Sequence, residues 1–199
     1  MPLDPETLDP NPFRQFDVWL DEARHAGQPL PDAFALATVD PDGMPSLRML
    51  LLRGHGPDGF RFYTNSASRK GIDLAANPKA AALFHWPTLE RQVRISGVAV
   101  PLEESESAAY FASRPRGSQL SAWASDQGVA IESRAALEAK VAEADARFAG
   151  QVPLPANWGG YRLMADRFEF WLSREDRLHD RVEYQREADG TWSRRRLQP

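Results

Sequence analysis

Two turn tetrads lie close together in the first third of the chain, Asp40-Pro41-Asp42-Gly43 and Gly56-Pro57-Asp58-Gly59. Each contains proline, which presets φ for a turn, and ends in glycine, which tolerates positive φ. Around them, residues 33–39, 46–53 and 60–65 read as strands, the second with a continuous apolar centre from Met49 to Leu52. Connections this short leave no room for a crossover helix. The spacing therefore predicts an antiparallel meander rather than parallel βαβ units.

The rest of the chain fits around that nucleus. Asn11 is a good N-cap with Pro12 at the first helical position, and Phe13, Phe16, Trp19, Leu20 and Ala23 recur at helical spacing up to Gly27. A short helix from about Ser68 is expected to end at Asn77-Pro78, because proline disfavours helix before it. Strands are expected at 80–86 and 91–102, and helices at 105–112 and 119–125. Ser133 caps a longer helix with Leu137, Val141, Ala144 and Phe148 on one face, closed by Gly150. Residues 153–160 read as loop. Strands return at 161–172, 181–186 and 191–197. Strands at both ends with helices between them point to the α+β class: an antiparallel barrel closed by distant strands, with peripheral helices. Residues 1–10 read as a flexible tail and residues 11–199 as one domain.

Several chemistries are excluded early. There is no cysteine, so disulfides, thiolate catalysis and cysteine-bound metal are out, and a reducing cytoplasm suits the chain. His25, His55, His85 and His179 show no metal-ligand spacing, and no metal is expected. The one Gly-x-Gly-x-x-Gly, Gly54 to Gly59, leads into a strand and opens no helix, and there is no P-loop or Gly-x-Ser-x-Gly motif. Redox chemistry would therefore need an organic cofactor. The net charge of −4 argues against nucleic acid. No apolar run approaches the roughly 20 residues of a membrane span, and the acidic, proline-rich start is not a signal peptide.

The basic residues are nevertheless clustered, which suits capture of a small anion such as phosphate. Arg48 and Arg53 bracket an apolar strand and would point to opposite faces; solvated strand ends explain them equally well. Tyr63-Thr64-Asn65-Ser66-Ala67-Ser68-Arg69-Lys70 ends a strand in small polar residues and opens a helix with two cations. Cations there oppose the helix dipole by about 0.3–1 kcal/mol each, a conflict that a bound anion would relieve. Tyr110, Arg114 and Ser118 can converge if the helix reaches Arg114, although Pro115 breaks it there; ordinary helix-end chemistry is the plainer reading. Arg177, His179 and Arg181 would alternate onto one side of an extended segment, either as an exposed charged hairpin or around an anion or electron-rich ring.

Taken in order, these segments resemble the pyridoxine/pyridoxamine 5′-phosphate oxidase family. The resemblance runs from about Asn11 to the C-terminus. It is carried by Phe62-Tyr63-Thr64-Asn65 with Ser68-Arg69-Lys70, Thr88-Leu89-Glu90-Arg91-Gln92-Val93, Tyr110-Phe111-x-x-Arg114-Pro115-Arg116, Trp158-Gly159-Gly160, Phe170-Trp171 and Arg177-Leu178-His179-Asp180-Arg181. It implies an FMN-binding split β-barrel and a homodimer with shared active sites. FMN would be bound by the strand Arg48, Met49, Leu50, Leu51, Leu52 and Arg53, and by Tyr63, Thr64, Ser68, Arg69, Lys70, Gln92, Gln127, Trp171 and Arg181. The substrate phosphate would fall to Arg53, Tyr110, Arg114 and Ser118. Arg177 and His179 would hold the substrate ring as the catalytic pair.

The implied reaction is oxidation of pyridoxamine 5′-phosphate or pyridoxine 5′-phosphate to pyridoxal 5′-phosphate, with O2 as electron acceptor and H2O2 as product. The chain departs from the family pattern at Arg53, where lysine is common, and at Gly128, where serine is usual. Its short N-terminus also lacks the basic and tyrosine residues that can cover the substrate. Rival readings are a split-barrel oxidase of the phenazine-pathway type and a non-catalytic binder of FMN or pyridoxal phosphate.

Overall fold

The computed structural model describes residues 3–199. Helix α1 (Pro12–His25) begins where its cap requires: the Asn11 side chain accepts the Phe13 N–H at 2.9 Å. Its apolar face is buried against the sheet. Phe16 meets Phe60 and Phe84 edge-on at 5.0 and 4.9 Å, and Trp19 meets Phe170 at 5.1 Å. Each such side chain contributes roughly 1.5–3 kcal/mol on burial.

The strands are β1 (Ala33–Val39), β2 (Pro45–Leu51), β3 (His55–Gly56), β4 (Gly59–Asn65), β5 (Lys79–Trp86), β6 (Arg91–Pro101), β7 (Trp158–Leu172), β8 (Asp180–Arg186) and β9 (Trp192–Arg196). All pair antiparallel, in the order β2-β1-β5-β6-β7-β4-β3, with β8 on β7 and β9 on β8. The fold is therefore α+β. β7 lies along β6 on one side. On the other side its first half pairs with β4 and its second half with β8. That fork splits the barrel. The late strand returning to an early one leaves fewer open edges.

The meander holds in full for β1 and β2, and across the second turn only as the short hairpin of β3 and β4. β2 and β4 are not laddered together; just beyond β2, the Arg53 N–H donates to the Arg61 carbonyl (2.9 Å) and the Arg61 N–H to the Gly54 carbonyl (2.7 Å), which closes the barrel. The local turns were legible, but β4 gains more pairing from distant β7. Residues 158–160, expected in a loop, open β7 for the same reason: they pair with Asn65, Thr64 and Tyr63.

Inward positions alternate along the strands, as Ala80, Ala82, Phe84 and Trp86 do in β5. The outer face of β2-β1-β5 is apolar and small: Leu47 and Met49 are 69% and 65% exposed, opposite Ala37 and Ala35, which in turn pair with Ala81 and Leu83.

Helix α2 (Arg69–Ala76) packs on β1, while α4 (Arg116–Ala124) and α5 (Arg134–Arg147) pack on each other. A small second core of Phe111, Leu120, Ala144 and Val152 links them to α3 (Glu104–Ser113). Of the segment read as a flexible tail, residues 1 and 2 lie outside the described residues, and residues 3–10 are fastened down: Leu3 is buried, Arg194 donates to the Leu8 carbonyl (2.7 Å), and the Tyr184 hydroxyl donates to the Asp9 carbonyl (2.8 Å). Among the described residues, no helix is long and apolar enough to cross a membrane.

Candidate active site

The β4–α2 junction forms a cationic cradle. Ser68 caps α2, accepting the Gly71 N–H, and donates to the Asn65 carbonyl at 2.6 Å. Lys70 is 6% exposed, and its ammonium donates to the hydroxyls of Thr64 (3.1 Å) and Ser68 (3.2 Å). Among the described residues no carboxylate lies within ion-pair distance of it. Burial, then the nearby Arg48, push its pKa below the ordinary 10.5. A buried ammonium with only hydroxyl partners is costly unless an anion accompanies it.

Arg48 donates to the Leu36 carbonyl (3.1 Å) and to the hydroxyls of Thr38 (2.8 Å) and Ser46 (2.6 Å). Arg69 differs from expectation: it pairs with Asp40 (2.6 Å) and Asp73 (3.2 Å). Its conflict with the helix dipole is thus met by carboxylates, and Lys70 is the cation left needing an anion. Ser46, Arg48, Met49, Leu50, Ser68, Arg69, Lys70, Gln127 and Gly128 are among the residues lining this cleft of about 350 Å³.

A larger cleft of about 720 Å³ adjoins it and shares Leu50 and Gln127 as a wall. Gln127 accepts a hydrogen bond from the Thr64 hydroxyl at 3.3 Å. Arg53, Tyr110, Arg114 and Ser118 all line this second cleft, as does Leu51. Here α3 ends at Ser113, and Arg114 is its extended C-cap rather than a member of the same helical face as Tyr110. The two converge differently: Tyr63 stacks on Tyr110 at 3.9 Å and on Trp158 at 5.4 Å, and the Arg114 guanidinium lies 4.9 Å above the Trp158 ring. Gly160 faces Tyr63 across the ladder, and a Cβ there would meet the Tyr63 ring at 2.8 Å, so glycine lets the stack lie flat. Burial depresses the Arg114 pKa, with the like charge of Arg53 acting the same way. Arg53 also contacts Asp32 at 3.4 Å. Arg116, grouped with Arg114 by sequence, instead ties α4 to α5 through Asp145 and the Phe148 and Gly150 carbonyls.

The remaining residues form a second cluster on the outer face. Gln92 pairs with Trp171, and Trp171 with Arg181, in one row across β6, β7 and β8. The His179 ring lies 4.7 Å from the Trp171 ring, and its Nδ1 accepts the Arg174 N–H at 3.1 Å. Arg177 does not continue an extended segment. It sits in a single 3-10 turn with φ of 60°, after Asp176 with φ of 53°. A single chain thus assembles the two clefts and the outer row, but does not bring them together. Leu52 points into the core at 6% exposure and lines neither cleft. Sequence reasoning missed Trp158 as a cleft residue and Thr38, Asp40 and Asp73 beneath the cradle. The Arg69–Asp73 spacing at i, i+4 was the one local signal.

Residues 20–148 match the family described as pyridoxamine 5′-phosphate oxidase, and residues 158–199 match the pyridoxine 5′-phosphate oxidase C-terminal dimerisation region. The chain is similar to the pyridoxine/pyridoxamine 5′-phosphate oxidase of Cupriavidus metallidurans, 52% identical over 190 residues, covering 96% of this chain and 90% of the relative. It is likewise similar to that of Rubrobacter xylanophilus, 55% identical over 192 residues, covering 96% and 88%. Among solved structures, PhzG from Burkholderia lata 383 in complex with tetrahydrophenazine-1-carboxylic acid aligns with a TM-score of 0.92 at 36% identity, covering 98% of this chain and 96% of that one. A pyridoxamine 5′-phosphate oxidase-related, FMN binding protein from Nostoc punctiforme shares the fold, with a TM-score of 0.77 at 20% identity over 96% of this chain and 100% of that one.

Proposed function

The chain belongs to the pyridoxine/pyridoxamine 5′-phosphate oxidase family, and we propose from this membership and its paired clefts that it uses FMN to oxidise pyridoxamine or pyridoxine 5′-phosphate to pyridoxal 5′-phosphate. The observation that carries the assignment is the pair of adjoining clefts, each built around a partly desolvated cation, Lys70 in one and Arg114 in the other. Two such sites side by side suit two phosphorylated ring compounds.

Lys70, Arg48 and the Ser68 hydroxyl would hold the FMN phosphate, with Tyr63 and Thr64 beside it, while Arg69, already paired with Asp40 and Asp73, lines the same cleft. Arg53, Arg114, Tyr110 and Ser118 would hold the substrate phosphate. Bound FMN would supply the two-electron acceptor for oxidation at the substrate's C4′ carbon, with O2 as the terminal acceptor giving H2O2; with the amine substrate, water supplies the aldehyde oxygen and the nitrogen leaves as ammonia. The protein's contribution is mainly orientation, which can be worth up to about 7–11 kcal/mol in ideal cases.

The row Gln92–Trp171–Arg181, with Arg177 and His179, would complete the site from a second copy of the chain. The exposed Leu47 and Met49 and the alanine-rich face beside them are the apolar surface such a copy would cover. With Nδ1 accepting the Arg174 N–H, the neutral His179 ring carries its proton on Nε2, so it serves as a hydrogen-bond donor to the substrate. A cytoplasmic location, suited to a cysteine-free chain, is part of the same reading.

Anaerobic addition of pyridoxamine 5′-phosphate to the purified yellow protein should bleach the flavin band, and admission of air should restore it with release of H2O2. A protein that binds FMN but does not bleach would be a carrier rather than an oxidase. The PhzG likeness supports a second reading, a tricyclic carboxylate substrate in the larger cleft. Steady-state oxidation of pyridoxine 5′-phosphate, with none of tetrahydrophenazine-1-carboxylic acid, would exclude it.

A further inference from the structure

Glu169 on β7 and Glu183 on β8 stand directly opposite each other in the ladder, 3% and 1% exposed. Like charges opposed across antiparallel strands are destabilising, and burial makes them more so. The sheet tolerates the pair because each carboxylate is met by two arginines. Arg195 (2.7 Å) and Arg167 contact Glu183; Arg94 (3.1 Å) and Arg181 (2.8 Å) contact Glu169.

The four arginines are not equivalent. The side chains of Arg94, Arg167 and Arg195 are 61%, 47% and 70% exposed, whereas that of Arg181 is 24% exposed. Arg181 is also gripped twice. Its Nε donates to Glu169, and its Nη1 donates to the Gln198 carbonyl at 3.0 Å. The C-terminal segment is itself pinned beside it, since the Leu197 N–H donates to the Arg181 carbonyl at 2.9 Å.

We propose that Glu169 is a positioning residue of the active site: it holds Nε of Arg181 while the Gln198 carbonyl holds Nη1, which fixes the guanidinium so that the group is presented in the Gln92–Trp171 row. The proposal rests on the reading above only in taking that row to border the flavin. A freely rotating arginine would lose side-chain entropy on each binding event; a clamped one has already lost it. Glu169 needs no contact with flavin or substrate to matter, and a buried like-charged pair is a local rule broken where function gives a reason.

The test is a double-mutant cycle in the full-length dimer with Glu169→Ala, Arg181→Ala and the pair, read as FMN dissociation constant, turnover with pyridoxine 5′-phosphate, and flavin midpoint potential. If Glu169 acts through Arg181, its loss should weaken FMN binding or turnover by roughly tenfold, the loss of one charge-assisted hydrogen bond. The double variant should then be no worse than Arg181→Ala alone, and both single variants should shift the potential in the same direction. A merely structural role would lower thermal stability yet give multiplying effects on binding and rate, and that result overturns the proposal. Glu169→Gln keeps the volume and serves should Glu169→Ala not fold; wild-type FMN affinity and rate in it would also overturn the proposal. If Arg181→Ala is itself indistinguishable from wild type, the assignment of Arg181 falls together with the proposal. If only the Glu169 variants are, the clamp alone falls.

Discussion

Lys70 illustrates how a single residue can point to a ligand. Its ammonium is buried against two hydroxyls, with no carboxylate at ion-pair distance among the described residues, and the charge of Asp73 only partly offsets its burial. Burial favours the neutral amine, and a phosphate alongside would restore the charged form. FMN binding should therefore take up a proton at alkaline pH, in a window that opens below the ordinary lysine value of 10.5. Calorimetry in buffers of different ionisation enthalpy would detect that uptake, and Lys70→Met should abolish it while weakening FMN binding about ten- to a hundredfold, in line with a charge-assisted hydrogen bond. In the neighbouring cleft, Arg114→Ala should raise KM for pyridoxine 5′-phosphate with flavin content unchanged; lost flavin instead would move Arg114 out of the substrate set. Lys70 and Arg114 were both legible in the sequence as cations at the edges of elements. That Arg69 is already neutralised by Asp40 was not, because Asp40 lies 29 residues away in a different turn.

At the scale of elements, two joints deserve experiments. β6 and β7 change register between Ser96 and Gly97, and a Cβ at Gly97 would sit 1.9 Å from the Met164 carbonyl oxygen. Gly97→Ala must push two paired backbones apart. It should cost more than about 2 kcal/mol in chemical denaturation, well beyond the roughly 0.5–1 kcal/mol of an ordinary glycine-to-alanine change.

The second joint ties the N-terminal segment to β8 through Tyr184, which is fully buried and whose hydroxyl pKa is pushed up to about 12 by burial. The fold favours the neutral phenol, so this contribution is intact below pH 10, the ordinary value, and is lost as pH rises from 10 to 12. A loss of about 2–3 kcal/mol is expected over that window. Tyr184→Phe should remove this loss and cost about 1 kcal/mol at neutral pH; unchanged alkaline melting of the variant would show that another group carries the transition. The strand and helix bounds were readable from caps and turns because those signals are local. The start of β7 was not, since Trp158-Gly159-Gly160 becomes strand only by pairing with Tyr63 to Asn65.

For the whole molecule, the division of the site sets the prediction. Gln92, Trp171 and Arg181 line neither cleft, so if they belong to the same site, turnover should require association of two chains. Met49→Asp, on the exposed apolar face, should shift sedimentation toward monomer and lower activity in parallel; an active monomer would mean that one chain suffices.

By itself the sequence determined the α+β class, the antiparallel sheet and the basic residues of both clefts, because turn chemistry, strand alternation and clustered charges are written locally; the family came from the resemblance of several segments taken in order. Only the tertiary structure decided which distant strand closes the barrel, which arginines are already paired and which cation is left for a ligand. Those outcomes depend on competition between partners far apart in the chain, and local spacing carries no measure of that.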